Sequence, residues 1–190
     1  MKKIITFAFS LILFGALHAA PSKPNIIYIV SDDLGYGDLG SYGQKQVKTP
    51  RLDRMAKEGL RFTDHYAGHT VCRPARLVFL TGKHTGHTAI AGNNMHVLPK
   101  GSKTVTSLLK AAGYVTGGAG KWALGDVGTS GHPNNQGFDF FYGYLDQGAA
   151  HDYYPEFLFR NDSYRHGAWE VEQVVLFVWG LTGCPVAHAP

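Results

Sequence analysis

The sequence predicts an α/β domain, a mostly parallel sheet flanked by helices, from three observations. Residues 25–30 form an apolar run of strand length whose Ile and Val content suits a strand buried on both faces of a parallel sheet. Helix-start and helix-stop residues bracket the segments that follow it. Charged residues gather just beyond the ends of the apolar runs, where ligands of open α/β sheets bind.

The elements follow in order. Met1-Lys2-Lys3 precedes an apolar stretch over residues 4–17 and small residues at Ala19 and Ala20. This is the layout of a secretory leader over residues 1–20, too short for a membrane span. A periplasmic or secreted protein is expected. The strand at 25–30 delivers Asp32 and Asp33 at its carboxyl end. Thr49 can cap a helix with Pro50 in its first turn and Gly59 at its end. Residues 60–67 are expected to return as a strand. A helix from Cys72 to Thr81 places the cysteine at a helix N-terminus, where the dipole favours negative charge. Ser102 or Thr104 can cap a helix ending at Gly113, and residues 114–119 form the next strand, with Lys121 at its carboxyl end. Residues 134–154, dense in Gly and aromatics, are expected to be a long irregular surface element that shapes a pocket.

The chain has 190 residues, enough for one core, and a formal net charge of +4. Loss of Lys2 and Lys3 with the leader leaves about +2. That modest excess suits an anionic substrate and falls short of a nucleic-acid footprint. No repeat, low-complexity tract or basic stripe with interleaved aromatics is present.

The chemistry-bearing pattern is Cys72-Arg73-Pro74-Ala75-Arg76, about forty residues after the Asp32-Asp33 pair. A thiol beside two guanidinium groups is biased toward thiolate. Two adjacent carboxylates at a strand end repel unless a cation sits with them, and a hard divalent ion is the usual solution. Each has a plain alternative: a buried free thiol and a turn-forming Asp pair. Cys184 is the second cysteine, so an oxidising compartment invites a disulfide, against which the pattern at Cys72 competes. His65, His69, His84 and His87 cluster near Cys72, but their spacing matches no established zinc pattern.

Four segments in this order resemble the N-terminal part of the type I, formylglycine-dependent sulfatases, arylsulfatase-like members of the alkaline-phosphatase superfamily. They are residues 24–38 around Asp32-Asp33, residues 49–56 after them, residues 71–82 around the Cys-x-Pro-x-Arg pentapeptide, and Gly113 through Lys121-Trp122. The resemblance covers roughly residues 24 to 162 and implies a truncated alkaline-phosphatase-like domain over 21–165, with an atypical tail at 166–190. It implies a sulfuric ester hydrolase acting on an aryl or carbohydrate sulfate. Cys72 would be converted to formylglycine by a formylglycine-generating or sulfatase-maturing enzyme. One hydroxyl of the aldehyde hydrate would attack sulfur and release the alcohol, and the other would expel sulfate. Asp32, Asp33 and the modified Cys72 would hold Ca²⁺. Arg76 would fix the hydrate and metal loop, Lys121 would bind sulfate oxygens, and His151 would contact substrate.

The sequence departs from the family pattern at Arg73, where a small residue is usual, and at Ala123, where a histidine is usual. The second metal-ligand pair and a later lysine have no counterpart, and Asn161-Asp162 stands in the wrong context. Two other readings therefore stand beside the sulfatase: a non-catalytic remnant of that fold, and a phosphatase or phosphodiesterase of the same superfamily.

Overall fold

The computed structural model describes residues 23–88, 92–93, 96–152, 155–166 and, as backbone, 174–180. The leader at 1–20 and Cys184 lie outside the described residues. Six strands form one sheet in the order β1-β6-β2-β3-β4-β5. They are β1 (Ile26–Ser31), β2 (Val115–Lys121), β3 (Phe140–Tyr144), β4 (Phe157–Arg160), β5 (Ser163–His166) and β6 (Val174–Gly180). Three α-helices, α1 (Pro50–Glu58), α2 (Cys72–Thr81) and α3 (Val105–Ala111), lie between β1 and β2 in the chain.

The α/β class with flanking helices is as the sequence predicts, and the sheet is mixed. Only β2 and β3 form a parallel ladder, while β1/β6, β2/β6, β3/β4 and β4/β5 are antiparallel. Because β1 and β2 both run opposite to β6, and β3 runs with β2, the three strands β1, β2 and β3 share one direction. Their common polarity is what the helical crossovers dictate. The antiparallel partners come from a strand inserted between β1 and β2 and from a hairpin that needs no crossover.

That hairpin explains Asn161-Asp162. The two residues form the turn between β4 and β5, and Asn161 takes a φ of 56°, a left-handed conformation that Asn tolerates. Its Oδ1 accepts from Phe141 N at 2.9 Å and Asn134 Nδ2 at 3.2 Å, so this amide is committed to the fold.

Three expectations are corrected. Residues 60–67 form no strand, and they are exposed, with no ladder to join among the described residues. Residues 134–154 are not an irregular surface element: they contain β3 and the buried Phe138, Phe141 and Leu145. The glycines that suggested a loop serve close packing instead. A Cβ on Gly143, whose φ is 146°, would lie 2.0 Å from the carbonyl oxygen of Gly120, its register partner on β2. Finally, β1 is not covered on both faces, since Ile27 is 65% and Ile29 55% exposed.

The core gathers Leu77 and Leu80 of α2 with Leu98, Trp122, Leu124, Phe138, Phe141 and Leu145. Trp122 meets Phe138 edge-to-face at 5.6 Å and donates its indole N–H to Gly131 O at 2.8 Å, so its one polar atom is satisfied. Helix starts follow the expected chemistry with variations. Thr104 caps α3 in a reciprocal box with Ser107. Thr49, by contrast, does not cap α1. Its hydroxyl accepts from Gly40 N at 2.9 Å and donates to Asp53 Oδ1 at 3.1 Å, while Ser41 N donates to the same carboxylate oxygen at 2.6 Å. The loop after β1 is thereby tied to α1.

Asp139 joins α3 to the start of β2. It takes Lys110 Nζ at 2.7 Å on Oδ1 and the Thr116 N–H and hydroxyl at 2.9 and 3.0 Å on Oδ2. Burial pushes its carboxyl up, but the Lys110 and Thr116 hydrogen bonds and the Lys110 charge outweigh this and hold it below its ordinary 3.8. A depressed carboxyl contributes stability above its ordinary value and loses it as pH falls through the folded value. Asp139→Asn should therefore lower the urea midpoint at pH 7, and the gap to the unsubstituted chain should close below about pH 4. A gap unchanged at pH 3 would contradict this account.

Candidate active site

The site forms where β1 and β2 end. Ser31 of β1 pairs with Val174, and Ala119 of β2 with Leu176, so both strands finish at the same end of β6. Beyond them lie Asp32-Asp33 and Lys121. The sequence brings in the third component through α2, whose first residue is Cys72.

No side chain of the N-cap residue Val71 caps α2. Asn93 does so from across the chain, its Oδ1 accepting Arg73 N–H at 3.2 Å. The next residue, Pro74, has no N–H to satisfy and tolerates the first helical turn. Gly82 closes the helix at a φ of 63°, donating to Val78 O at 2.8 Å. The pentapeptide is thus a helix start, with Cys72 and Arg76 one turn apart on the same face.

Asp32 is the common acceptor. Lys121 Nζ donates to its Oδ2 at 2.8 Å, Arg76 Nη2 lies 3.9 Å from the same oxygen, and Cys72 is close enough to help keep the carboxylate ionised. Arg76 Nη1 also donates to the Lys121 carbonyl, and His151 Nε2 stands 3.4 Å from Lys121 Nζ. Burial pushes the Asp32 carboxyl up, yet the bond from Lys121, the charges of Lys121 and Arg76 and the bond from Cys72 together hold it below its ordinary value. Burial also pulls the Arg76 guanidinium down, opposed by the charges of Asp32 and Cys72. Five of the six predicted site residues, Asp32, Cys72, Arg76, Lys121 and His151, are brought into one network.

Asp33, the sixth, is exposed, with a φ of 53°, and lines the adjoining cleft. That cleft of about 720 Å³ is also bordered by Asp32, Cys72 and Arg76, and its remaining walls include Tyr28, Tyr36, Tyr42 and Tyr66. The aromatic walls escaped the sequence reading because they come from β1, from the loop after it and from residues 60–67, which share no periodic pattern. Lys121 does not line the cleft: its side chain is 0% exposed, sealed behind Asp32. An anion in the cleft meets this ammonium only if the pair with Asp32 opens.

Oxygen donors are what calcium takes, and Asp32 and Asp33 supply them, but it takes six to eight. No group of three or more His, Cys, Asp and Glu side chains gathers for a metal among the described residues. The two acids fit calcium in kind and make up only part of a ligand set. The buried atom that lacks a partner beside them, Arg76 Nε, is a donor, which calls for an anion rather than a cation. The histidines noted as a zinc alternative are used locally, His69 Nδ1 accepting from Val71 N at 3.1 Å and His84 Nδ1 from Gly86 N at 3.1 Å.

The two departures from the family pattern meet in space. Arg73 Nε donates to the Ala123 carbonyl at 2.7 Å.

Removing one partner of a buried ion pair leaves the other uncompensated, at a cost of about 3 kcal/mol or more. Lys121→Met should lower unfolding stability by about that amount, and Asp32→Asn in the same chain should recover most of it. Denaturant unfolding of the two single variants and the double variant measures this, and a loss below about 1 kcal/mol for Lys121→Met would show the pair to be dispensable.

Comparison with known proteins identifies the family of the chain. Residues 24–176 match the Sulfatase family model. The chain is 41% identical over 136 residues to Arylsulfatase D of Homo sapiens, covering 64% of this chain and 23% of that protein. It is 46% identical over 132 residues to Arylsulfatase A of Bos taurus, covering 66% and 26%. Against Steryl-sulfatase of Mus musculus it is 41% identical over 140 residues, covering 65% and 22%. Its fold superposes on the crystal structure of Ps i-CgsB, solved with k-i-k-neocarrahexaose, with a TM-score of 0.66 at 30% identity, over 75% of this chain and 37% of that one. The chain spans about a quarter of the length of the curated relatives. With the matched family model running through every element of the site, the chain belongs to the sulfatase family.

Proposed function

We propose that the chain is the nucleophile-bearing part of a sulfuric ester hydrolase. The observation that carries this reading is Cys72 at the start of α2, lining one cleft together with Asp32 and Arg76. Converted to a formylglycine hydrate by a maturing enzyme, residue 72 would supply the oxygen nucleophile for sulfur. Around it the chain's own groups have distinct tasks. Asp32, kept ionised by Lys121 and Arg76, lines the cleft beside residue 72. Arg76 and Lys121 offset the carboxylates of Asp32 and Asp33, and the unpartnered Arg76 Nε leaves a donor for an anionic ester. His151 stands 3.4 Å from Lys121 Nζ and orients that ammonium, and it would contact a substrate that reaches past the cleft wall. Asp32 and Asp33 would hold calcium. The aromatic cleft would receive the alcohol portion, an aryl or carbohydrate group. Residues 1–20 would direct export to the periplasm or medium and be removed.

Mass spectrometry of the exported protein, from cells containing the maturing enzyme, should show the residue 72 peptide with an aldehyde in place of the thiol and a chain lacking residues 1–20. Intact cysteine there would count against this chemistry. Turnover of a chromogenic aryl sulfate should be lost in Cys72→Ala by more than 10³-fold. A folded chain with no turnover would favour the remnant. Faster turnover of the matched phosphate ester would favour the phosphatase or phosphodiesterase.

Calcium titration is expected to raise the thermal midpoint of the unsubstituted chain and leave that of Asp33→Asn unmoved. Equal shifts in both would remove Asp33 from the ligand set.

A further inference from the structure

The pentapeptide carries a second arginine that the chemistry above does not use. Arg73 follows Cys72 directly, is only 4% exposed, and points away from the cleft into the fold. Its guanidinium makes two short bonds to backbone carbonyls, Nε to Ala123 O at 2.7 Å and Nη1 to Asn93 O at 2.6 Å. Its own N–H is capped by the Asn93 side chain. One side chain therefore bridges three segments: the start of α2, the segment at Asn93 and the stretch leaving β2.

The acceptor on the third segment is unusual. Ala123 is buried and sits at a φ of 69°, a conformation a residue with a Cβ holds only when its surroundings over-determine it. Its N–H donates to Leu145 O at 3.0 Å and its carbonyl takes Arg73, so both of its backbone groups are fixed. Two residues earlier is Lys121. A planar guanidinium offers its donors in a rigid fork, which holds two carbonyls at a defined separation in a way that a single ammonium does not.

We propose that Arg73 is a positioning residue of the site: through the Ala123 and Asn93 carbonyls it sets the placement of Lys121 relative to Cys72. The inference rests on the Arg73 bridge and the Asp32–Lys121 pair and not on sulfate chemistry, so it stands or falls apart from the hydrolase reading. The bridge acts through geometry, and it predicts that a lysine at 73, although charged and similarly long, does not replace it.

The test uses the full chain with Cys72 unmodified, in the unsubstituted form and as Arg73→Lys and Arg73→Met. Each is exposed at one pH to iodoacetamide and, separately, to a limiting amount of acetic anhydride. Peptide mass spectrometry reads alkylation at residue 72 and acetylation at Lys121, each against Lys110, which is half exposed and paired with Asp139. In the unsubstituted chain Lys121 is expected to resist acetylation. In both variants, with cooperative thermal unfolding retained, acetylation of Lys121 relative to Lys110 should rise at least fivefold, and alkylation at residue 72 should change at least threefold. Unchanged reactivity in a folded Arg73→Met chain would overturn the proposal by showing that Arg73 only fills space. Wild-type reactivity in Arg73→Lys would overturn it by showing that charge, not the fork, is what matters. Should Arg73→Met fail to fold, Arg73→Lys decides alone.

Discussion

The carboxylate of Asp32 is the point on which the arrangement turns. Two cations from other elements converge on it: Lys121 from the end of β2 and Arg76 from α2, one turn after Cys72. A half-buried acid is costly to keep ionised, and these cations and hydrogen bonds are what keep it so. The dependence is mutual, since an ammonium with no exposed surface needs an anion against it. Lys121 and Asp32 are 89 positions apart, so the network exists only once β1, β2 and the strand between them are assembled. Sheet formation and site formation are one event.

The legible parts of this molecule were those written in local chemistry. A Thr before a helix, a Pro in a first turn with a Gly at the far end, and an Ile- and Val-rich hexamer each act over a few residues, and each produced the element they imply. The charged residues beyond β1 and β2 were legible for the same reason, because strand ends in a common direction deliver their next residues to one edge. What misled was composition without partners. The stretch holding β3 has the glycines and aromatics of a loop, but Gly143 is there to let two backbones touch, and Phe138 and Phe141 are there to surround Trp122. Residues 60–67 have a strand's content and no ladder. Pairing is a property of the whole sheet, and no window of sequence contains it.

Arg73 shows the same limit from the other side. In the sequence it is a bulky intruder in a short pattern, and Ala123 is a lost histidine. Only the fold shows that one reaches the other across fifty positions and that Asn93 completes the connection. Helix α2 thus begins with Cys72 and its tether Arg73 side by side, and Asn93 caps it from twenty positions away, which leaves little freedom for substitution there.

The apolar face of β1 has a practical consequence. Among the described residues this strand is one of the two edges of the sheet, and it displays Ile27 and Ile29 without a charged residue or proline between Ile26 and Ser31. An undefended margin of this kind invites other copies of the chain to add on as further strands. Solubility in the test tube will be governed by this rim rather than by the reactive centre, and light scattering against protein concentration is where it will show. A lysine placed at Ile27 or Ile29 is the direct remedy, since it interrupts the sticky rim without touching any group that faces the cleft.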